Sequence, residues 1–336
     1  MQVVTAGGDI VTANACQNID LFFALRGGGG GTYGVATSMT VKTYPTTSVV
    51  GQIFQMAPLT IGNTPDFMEA VAILYESYPD LNDGGYSGYG EWEVNYFAPV
   101  FGNFTTGYVH SFTVFNRSVA CAQDVFATVA AKLEPFNGTS LFISTQYLEF
   151  TTYADMFNTL IQSNSPVGQT GGLCSRLVDR QALSNSTGLR STLNISAGEP
   201  ETFTMNSVNL ISGGQVFKDV NDTNSGVNPV WRTSYLHHIT AEAFLPGENT
   251  TVQAEISEDI TFNKCGAWKA LAPNTGCYMN EADKNDPEFL QDFYGQHLEK
   301  LSLVKRKYDP EGVFYCPTCI GSEGWHEDAI GRLCHN

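Results

Sequence analysis

The chain has 336 residues, long enough for two structural units. With 42% apolar residues and 14 Pro among 33 Gly it reads as globular and rich in turns, which excludes a disordered or fibrous protein. A formal charge of −17 excludes the basic face that a nucleic-acid partner requires, and no apolar run reaches the ~18–20 residues of a membrane span.

In chain order, Val3–Ala6 and Ile10–Ala13 are short β-prone runs around Gly7-Gly8-Asp9, a hairpin pattern. Asn18 is a candidate cap for a short helix through Leu25, which the glycines Gly27–Gly31 end. Val35–Tyr44 alternates as a strand that Pro45 closes, and Val49–Met56 is a second strand. Thr64-Pro65 opens a helix with Phe67, Val71, Leu74 and Tyr78 on one face.

Strands are expected at Tyr86–Phe97, Tyr108–Phe115, Met205–Ser212 and Trp231–Phe244, with helices at Val119–Leu133 and Tyr153–Ile161. Ser184–Thr202 reads as polar turns. Pro287–Lys307 reads as one long helix whose last turn carries Lys300, Lys305, Arg306 and Lys307 toward the negative end of its dipole. The fold class expected is α+β, an antiparallel sheet covered by helices on one side.

Glycosylation triplets begin at Asn103, Asn116, Asn137, Asn185, Asn194, Asn221 and Asn249, a density that points to the secretory pathway. Eight cysteines in that setting favour disulfides. Met1–Val11 has neither a basic start nor an apolar core and is not a signal peptide, so an N-terminal segment is expected to be missing. The tail word Cys316-Pro317-Thr318-Cys319, with Cys334 and His335, is open to a zinc site or to disulfides. A single close cysteine pair and an oxidising compartment favour disulfides, with Cys334 expected to pair with Cys316 or Cys319.

A run of glycines lets a backbone approach an anion closely, although no βαβ unit surrounds this one. The longer word Asp20-Leu21-Phe22-Phe23-Ala24-Leu25-Arg26-Gly27-Gly28-Gly29-Gly30-Gly31-Thr32-Tyr33-Gly34-Val35 closely resembles a signature of the berberine-bridge-enzyme-like group within the vanillyl-alcohol-oxidase superfamily. Cys277-Tyr278-Met279-Asn280-Glu281-Ala282-Asp283 resembles that family's Tyr-x-Asn motif. Tyr308-Asp309-Pro310-Glu311-Gly312-Val313-Phe314 resembles its terminal segment, and Asn228-Pro229-Val230-Trp231-Arg232 resembles a fungal segment.

The resemblance implies FAD as cofactor, and an oxidase that takes electrons from an alcohol, sugar or similar small molecule to oxygen, with neither nucleic acid nor membrane as partner. It implies three segments: residues 1–45 ending a PCMH-type FAD-binding domain, 46–269 binding substrate, and 270–336 returning to the flavin domain. It implies cofactor contacts from Gly27, Gly28, Gly29, Gly30, Gly31, Thr32, Tyr33, Gly34, Val35 and Asn280. Tyr278 is implied as the base that deprotonates a substrate hydroxyl, a task for which a phenol of ordinary pKa about 10 must be activated. Arg232, His237 and His238 are not assigned, since adjacent strand residues face opposite ways and at most one of the two histidines can line a pocket. The family's N-terminal flavin-binding half, with its phosphate-wrapping loop and covalent anchors, is expected to be absent. The contrasting expectation is a secreted, non-catalytic glycoprotein that no longer binds FAD.

Overall fold

The computed structural model describes residues 1–95, 106–161, 171–199, 202–245, 247–328 and 330–336. Its elements in chain order are β1 (Gln2–Val4), β2 (Ile10–Thr12), α1 (Ile19–Leu25), β3 (Val35–Ser38), β4 (Val49–Pro58), α2 (Thr64–Asp83), β5 (Tyr86–Glu93), β6 (Gly107–Phe115), α3 (Val119–Leu133) and β7 (Leu141–Phe150). They continue with α4 (Tyr153–Met156), β8 (Gly171–Asp179), α5 (Arg180–Leu183), α6 (Ser186–Ser196), β9 (Phe203–Leu210), α7 (Gly214–Lys218) and β10 (Ser234–Ala243). The last are α8 (Thr250–Glu258), α9 (Cys265–Leu271), α10 (Phe289–Tyr294), α11 (Leu298–Tyr308), β11 (Trp325–Glu327) and β12 (Leu333–His335). Among the described residues no helix is long and apolar enough to cross a membrane.

Two compact units result: Met1–Tyr44 with Lys218–Arg232 and Lys284–Asn336, and Pro45–Phe217 with Thr233–Asp283. The division differs from the three segments expected from sequence. Residues 218–232 join the first unit, and 270–283, which carry Tyr278, join the second.

In the first unit the expected hairpin forms, β1 pairing antiparallel with β2 and, on its other edge, with β3. The third strand stops at Ser38 instead of reaching Tyr44, because β1 offers only three residues to pair with. Asn18 does begin α1, but from a left-handed backbone and without a capping bond; its amide donates to Thr12 O instead. Asp20 accepts from Lys307 Nζ at 2.6 Å and Tyr308 Oη at 2.9 Å, fastening α1 to the end of α11.

The long helix expected over Pro287–Lys307 is broken. Gly295 adopts φ 51° between α10 and α11, and a Cβ there would strike the Asn228 side chain. Lys305 is not a solvent-facing dipole partner either. It is buried, and its ammonium donates to Thr32 O, Asp309 Oδ2 and Phe314 O.

The second unit is a seven-stranded antiparallel sheet in the order β7-β4-β6-β5-β9-β10-β8. Alternation puts Phe54, Trp92, Tyr108, Phe112, Val208 and Leu236 on one face, where they bury against Phe67, Val71, Leu74, Tyr75 and Tyr78 of α2 and the faces of α3, α6 and α9. The helical cover read from sequence is present on that face, while Tyr153 and Leu160 of the segment 153–161 pack on the other, against Phe115 and Gly51. In this unit the strands β7 and β8 and the helices α5, α6, α7, α8 and α9 were not anticipated.

The segment read as polar turns contains α6, where Leu189 and Leu193 are buried one turn apart beneath a Ser/Thr/Asn surface. The strand expected over Trp231–Phe244 runs only over Ser234–Ala243, after a 3₁₀ turn at Pro229–Arg232. Helix 153–156 passes into a π-turn through Ile161. The last residues of the strand expected over Tyr86–Phe97, Tyr96 and Phe97, lie outside the described residues, as does Asn103. Cys174–Cys265 closes a separation of 91 residues, tying β8 to α9.

Candidate functional site

In the first unit, α1 ends as Gly28 N donates to Ala24 O at 2.8 Å. Positive φ at Gly27 (120°), Gly29 (115°), Gly31 (75°) and Gly34 (150°) winds the chain into a tight, irregular loop. Some of these glycines serve packing. A Cβ on Gly27 would strike the Val227 backbone, on Gly28 Leu301 and Ala24 O, and on Gly34 Val3 and Val4 O.

Gly30 and Gly31 differ: both are exposed, with open space where a Cβ would lie. Among the described residues no acceptor receives the amides of Gly29, Gly30 or Gly31. An outward row of unpaired N–H donors without side chains fits acceptor atoms of a polar or anionic cofactor. Thr32 is buried with Oγ1 bonded to Gly29 O, and Val35 is exposed on β3. The Tyr33 ring is fully buried, its hydroxyl has no partner among the described residues, and burial pushes its pKa up. Thr32 and Tyr33 thus brace the loop from behind.

In the second unit, Gly276 O accepts Leu177 N at 2.8 Å and the buried Cys277 thiol donates to Ser175 O at 2.9 Å. These bonds fix the segment beside β8, so that half-buried Tyr278 enters the 3₁₀ turn Met279–Glu281 in a set position. Asn280, itself exposed, donates from Nδ2 to Tyr278 Oη at 2.9 Å. The Tyr278 ring meets His237 edge to face, with centroids 5.7 Å apart and planes at 82°.

His237 Nδ1 lies 3.5 Å from Glu281 Oε2. Burial holds the imidazole pKa down at about 4 and pushes that of Glu281 up, so this contact is a dipolar one at neutral pH and not an ion pair. Along the same face of the sheet the cross-strand row runs His237, Asn209, Tyr89 and Ser111. Tyr89 is exposed, and burial, followed by Tyr153 and Glu281, raises its pKa.

Tyr278 and Asn280 are therefore brought together, whereas Gly27–Val35 belong to the other unit. His237, Glu281 and Tyr89 were missed. Period-2 alternation limited the His237-His238 pair to one pocket residue but gave no means of choosing which. Arg232 sits in the first unit, 3.9 Å from Asp222. The cysteine pairing expected in the tail is corrected: Cys316 bonds Cys319, because the Pro317-Thr318 turn closes the chain on itself, and Cys334 stays free.

Residues 277–321 match the family described as berberine and berberine like. The chain is 38% identical over 336 residues to the FAD-linked oxidoreductase hmp9 of Hypomyces subiculosus, covering 99% of this chain and 53% of that protein. It is 37% identical to the FAD-linked oxidoreductase apf9 of Gibberella fujikuroi, covering 99% of this chain and 57% of that one. The VAO-type flavoprotein MtVAO713 of Myceliophthora thermophila C1 superposes with a TM-score of 0.95 at 36% identity, over 100% of this chain and 59% of its own. The chain thus spans a little over half the length of the relatives it matches. Over the part that it spans, the chain is similar to berberine-like and VAO-type FAD-linked oxidoreductases.

Proposed function

We propose that this chain forms part of an FAD-dependent oxidase acting on the hydroxyl group of a small alcohol or sugar, with oxygen as final electron acceptor. FAD, when bound, supplies the acceptor for the hydride leaving the substrate carbon. The single observation that carries the reading is the Tyr278–Asn280 pair beside the buried neutral His237. Tyr278 Oη takes the substrate hydroxyl proton, and the Asn280 amide, already bonded to that oxygen, steadies the charge it gains on losing its own. Neutral His237 adds no fixed charge beside the substrate, which suits an uncharged polyol or alcohol. The outward amides of Gly29–Gly31 are the contacts this chain offers to the cofactor, with Thr32, Tyr33 and Val35 supporting them.

Flavin-loaded protein, mixed anaerobically with a panel of alcohols, sugars, amines and carboxylates, tests the reading. Loss of flavin absorbance with hydroxyl compounds, and peroxide formation once air is admitted, is the expected result. Reduction by amines or acids alone would overturn the assignment.

We also infer a secreted glycoprotein. Asn116, Asn137, Asn185, Asn194, Asn221 and Asn249 are all exposed. Protein from a eukaryotic host is expected to lose mass on enzymatic deglycosylation, and unmodified asparagines would remove this inference.

A further inference from the structure

Each of the two disulfides has one buried and one half-buried cysteine, and they differ in the length of chain they close. Cys174–Cys265 spans 91 residues and joins elements of the second unit, whereas Cys316–Cys319 spans three and closes a single turn. Constraint of the unfolded chain grows with loop length, so the short bridge contributes least to folding stability. In that turn Cys319 N donates to Cys316 O, Pro317 stands second, and Thr318 stands third at φ 61°. That third position calls for glycine or asparagine, and a β-branched residue held there is strained. Opening the bridge releases that strain. Cys316 is half-buried and reachable, and Cys319 is 1% exposed behind it.

The turn does not stand alone. Ile320, next in sequence, gives its amide to the Tyr294 hydroxyl, and Tyr294 lies close enough to Tyr33 to affect its ionisation. Lys305 bonds Phe314 O, just before the turn, and Thr32 O, at the end of the glycine run. Both routes lead from the short disulfide to the loop 27–34 within one unit.

We propose that Cys316–Cys319 is a thiol–disulfide exchange site for a dithiol reductant, and that its redox state sets how firmly the glycine loop is held. A thiolate of the reductant attacks Cys316 Sγ, the Sγ–Sγ bond breaks, and the Cys319 sulfur leaves and takes up a proton. The reductant's second thiolate then attacks its partner sulfur in the mixed disulfide, freeing Cys316 as a thiol. Two electrons pass to the protein, and the reductant ends as a disulfide. With the turn open, Ile320 and Phe314 lose their fixed positions, and the loop loses its brace.

Graded dithiothreitol under native conditions, with alkylation and peptide mass mapping, reads the exchange. Cys316 and Cys319 are expected to label at about tenfold or more lower dithiol than Cys174 and Cys265. Amide hydrogen exchange over residues 27–35 should quicken as they do. A Cys316→Ser, Cys319→Ser double variant should match the reduced protein in that exchange and ignore added dithiol. Opening of both bridges together, or unchanged exchange over 27–35 once the short bridge is open, would overturn the proposal. The wild-type readings decide it even where the double variant fails to fold, and neither depends on bound flavin.

Discussion

His237 and His238 are adjacent in sequence and opposite in circumstance. His238 faces the helices, in a file of hydrogen bonds from Trp92 Nε1 to Tyr75 Oη (2.9 Å), Tyr75 Oη to His238 Nδ1 (2.9 Å), His238 Nε2 to Thr240 Oγ1 (2.9 Å) and Thr240 Oγ1 to Asn206 Oδ1 (2.8 Å). Only the Nε2–H tautomer lets each group donate once, and the Trp268 ring packs on the imidazole at 3.9 Å. Both faces bury a neutral histidine, but on the helix face both ring nitrogens of His238 are bonded within a closed chain. The other face gathers Tyr278, Asn280 and Glu281 around His237, with Asn280 and Tyr89 exposed. A closed network holds a fold; a row of reachable polar groups binds and reacts.

The largest stability effect should come from the closed face. Trp92→Ala removes a fully buried indole and the donor to Tyr75, and should cost about 3–5 kcal/mol in denaturant unfolding. A cost below about 1 kcal/mol would break the contrast. His238→Ala takes from Tyr75 its acceptor and from Thr240 its donor, and should cost about 1–3 kcal/mol, visible as a lower Tm.

Burial lowers the pKa of His110 to about 3 and of His237 to about 4, and lowers that of His238 as well. The unfolded chain, with histidine near 6.5, then binds these protons first, so stability falls as pH drops below about 6.5, by up to about 1.4 kcal/mol per pH unit for each. Glu93 works the other way. Burial and Glu91 raise its pKa to about 8, so its contribution is lost as pH rises toward that value. Unfolding at pH 7 and pH 5 should give a shallower slope in His110→Gln, and an unchanged slope would assign the acid sensitivity elsewhere. The smallest effect is expected from Asn280→Ala: being exposed, it should leave Tm unchanged and lower turnover by about tenfold, the low end of what one hydrogen bond to a charged oxygen is worth.

Sequence revealed the parts governed by local rules. The α2 face, the β1–β2 hairpin and the alternating strands β5 and β6 follow from spacing alone, and the family words marked Tyr278 and Asn280 as candidates. It failed where tertiary contacts decide. The helix α6 hides two leucines under a polar surface, and β7, half-exposed along its length, lacks a clean alternation. The break at Gly295 follows from the distant Asn228, and Lys305 is drawn inward by Thr32 and Phe314. His237 could not be separated from His238 until the register with Asn209 and Leu177 fixed which face each occupies.

Tyr278 is the group proposed to accept the substrate proton. Its direct test is Tyr278→Phe in flavin-loaded protein, with turnover, bound-flavin absorbance and Tm measured on the same sample. The predicted result is a fall in kcat of about 10²–10⁴ with flavin and Tm retained, since the phenyl ring keeps its contact with His237 and only the hydroxyl is lost. Unchanged kcat with hydroxyl substrates would contradict it and leave Tyr278 a packing residue.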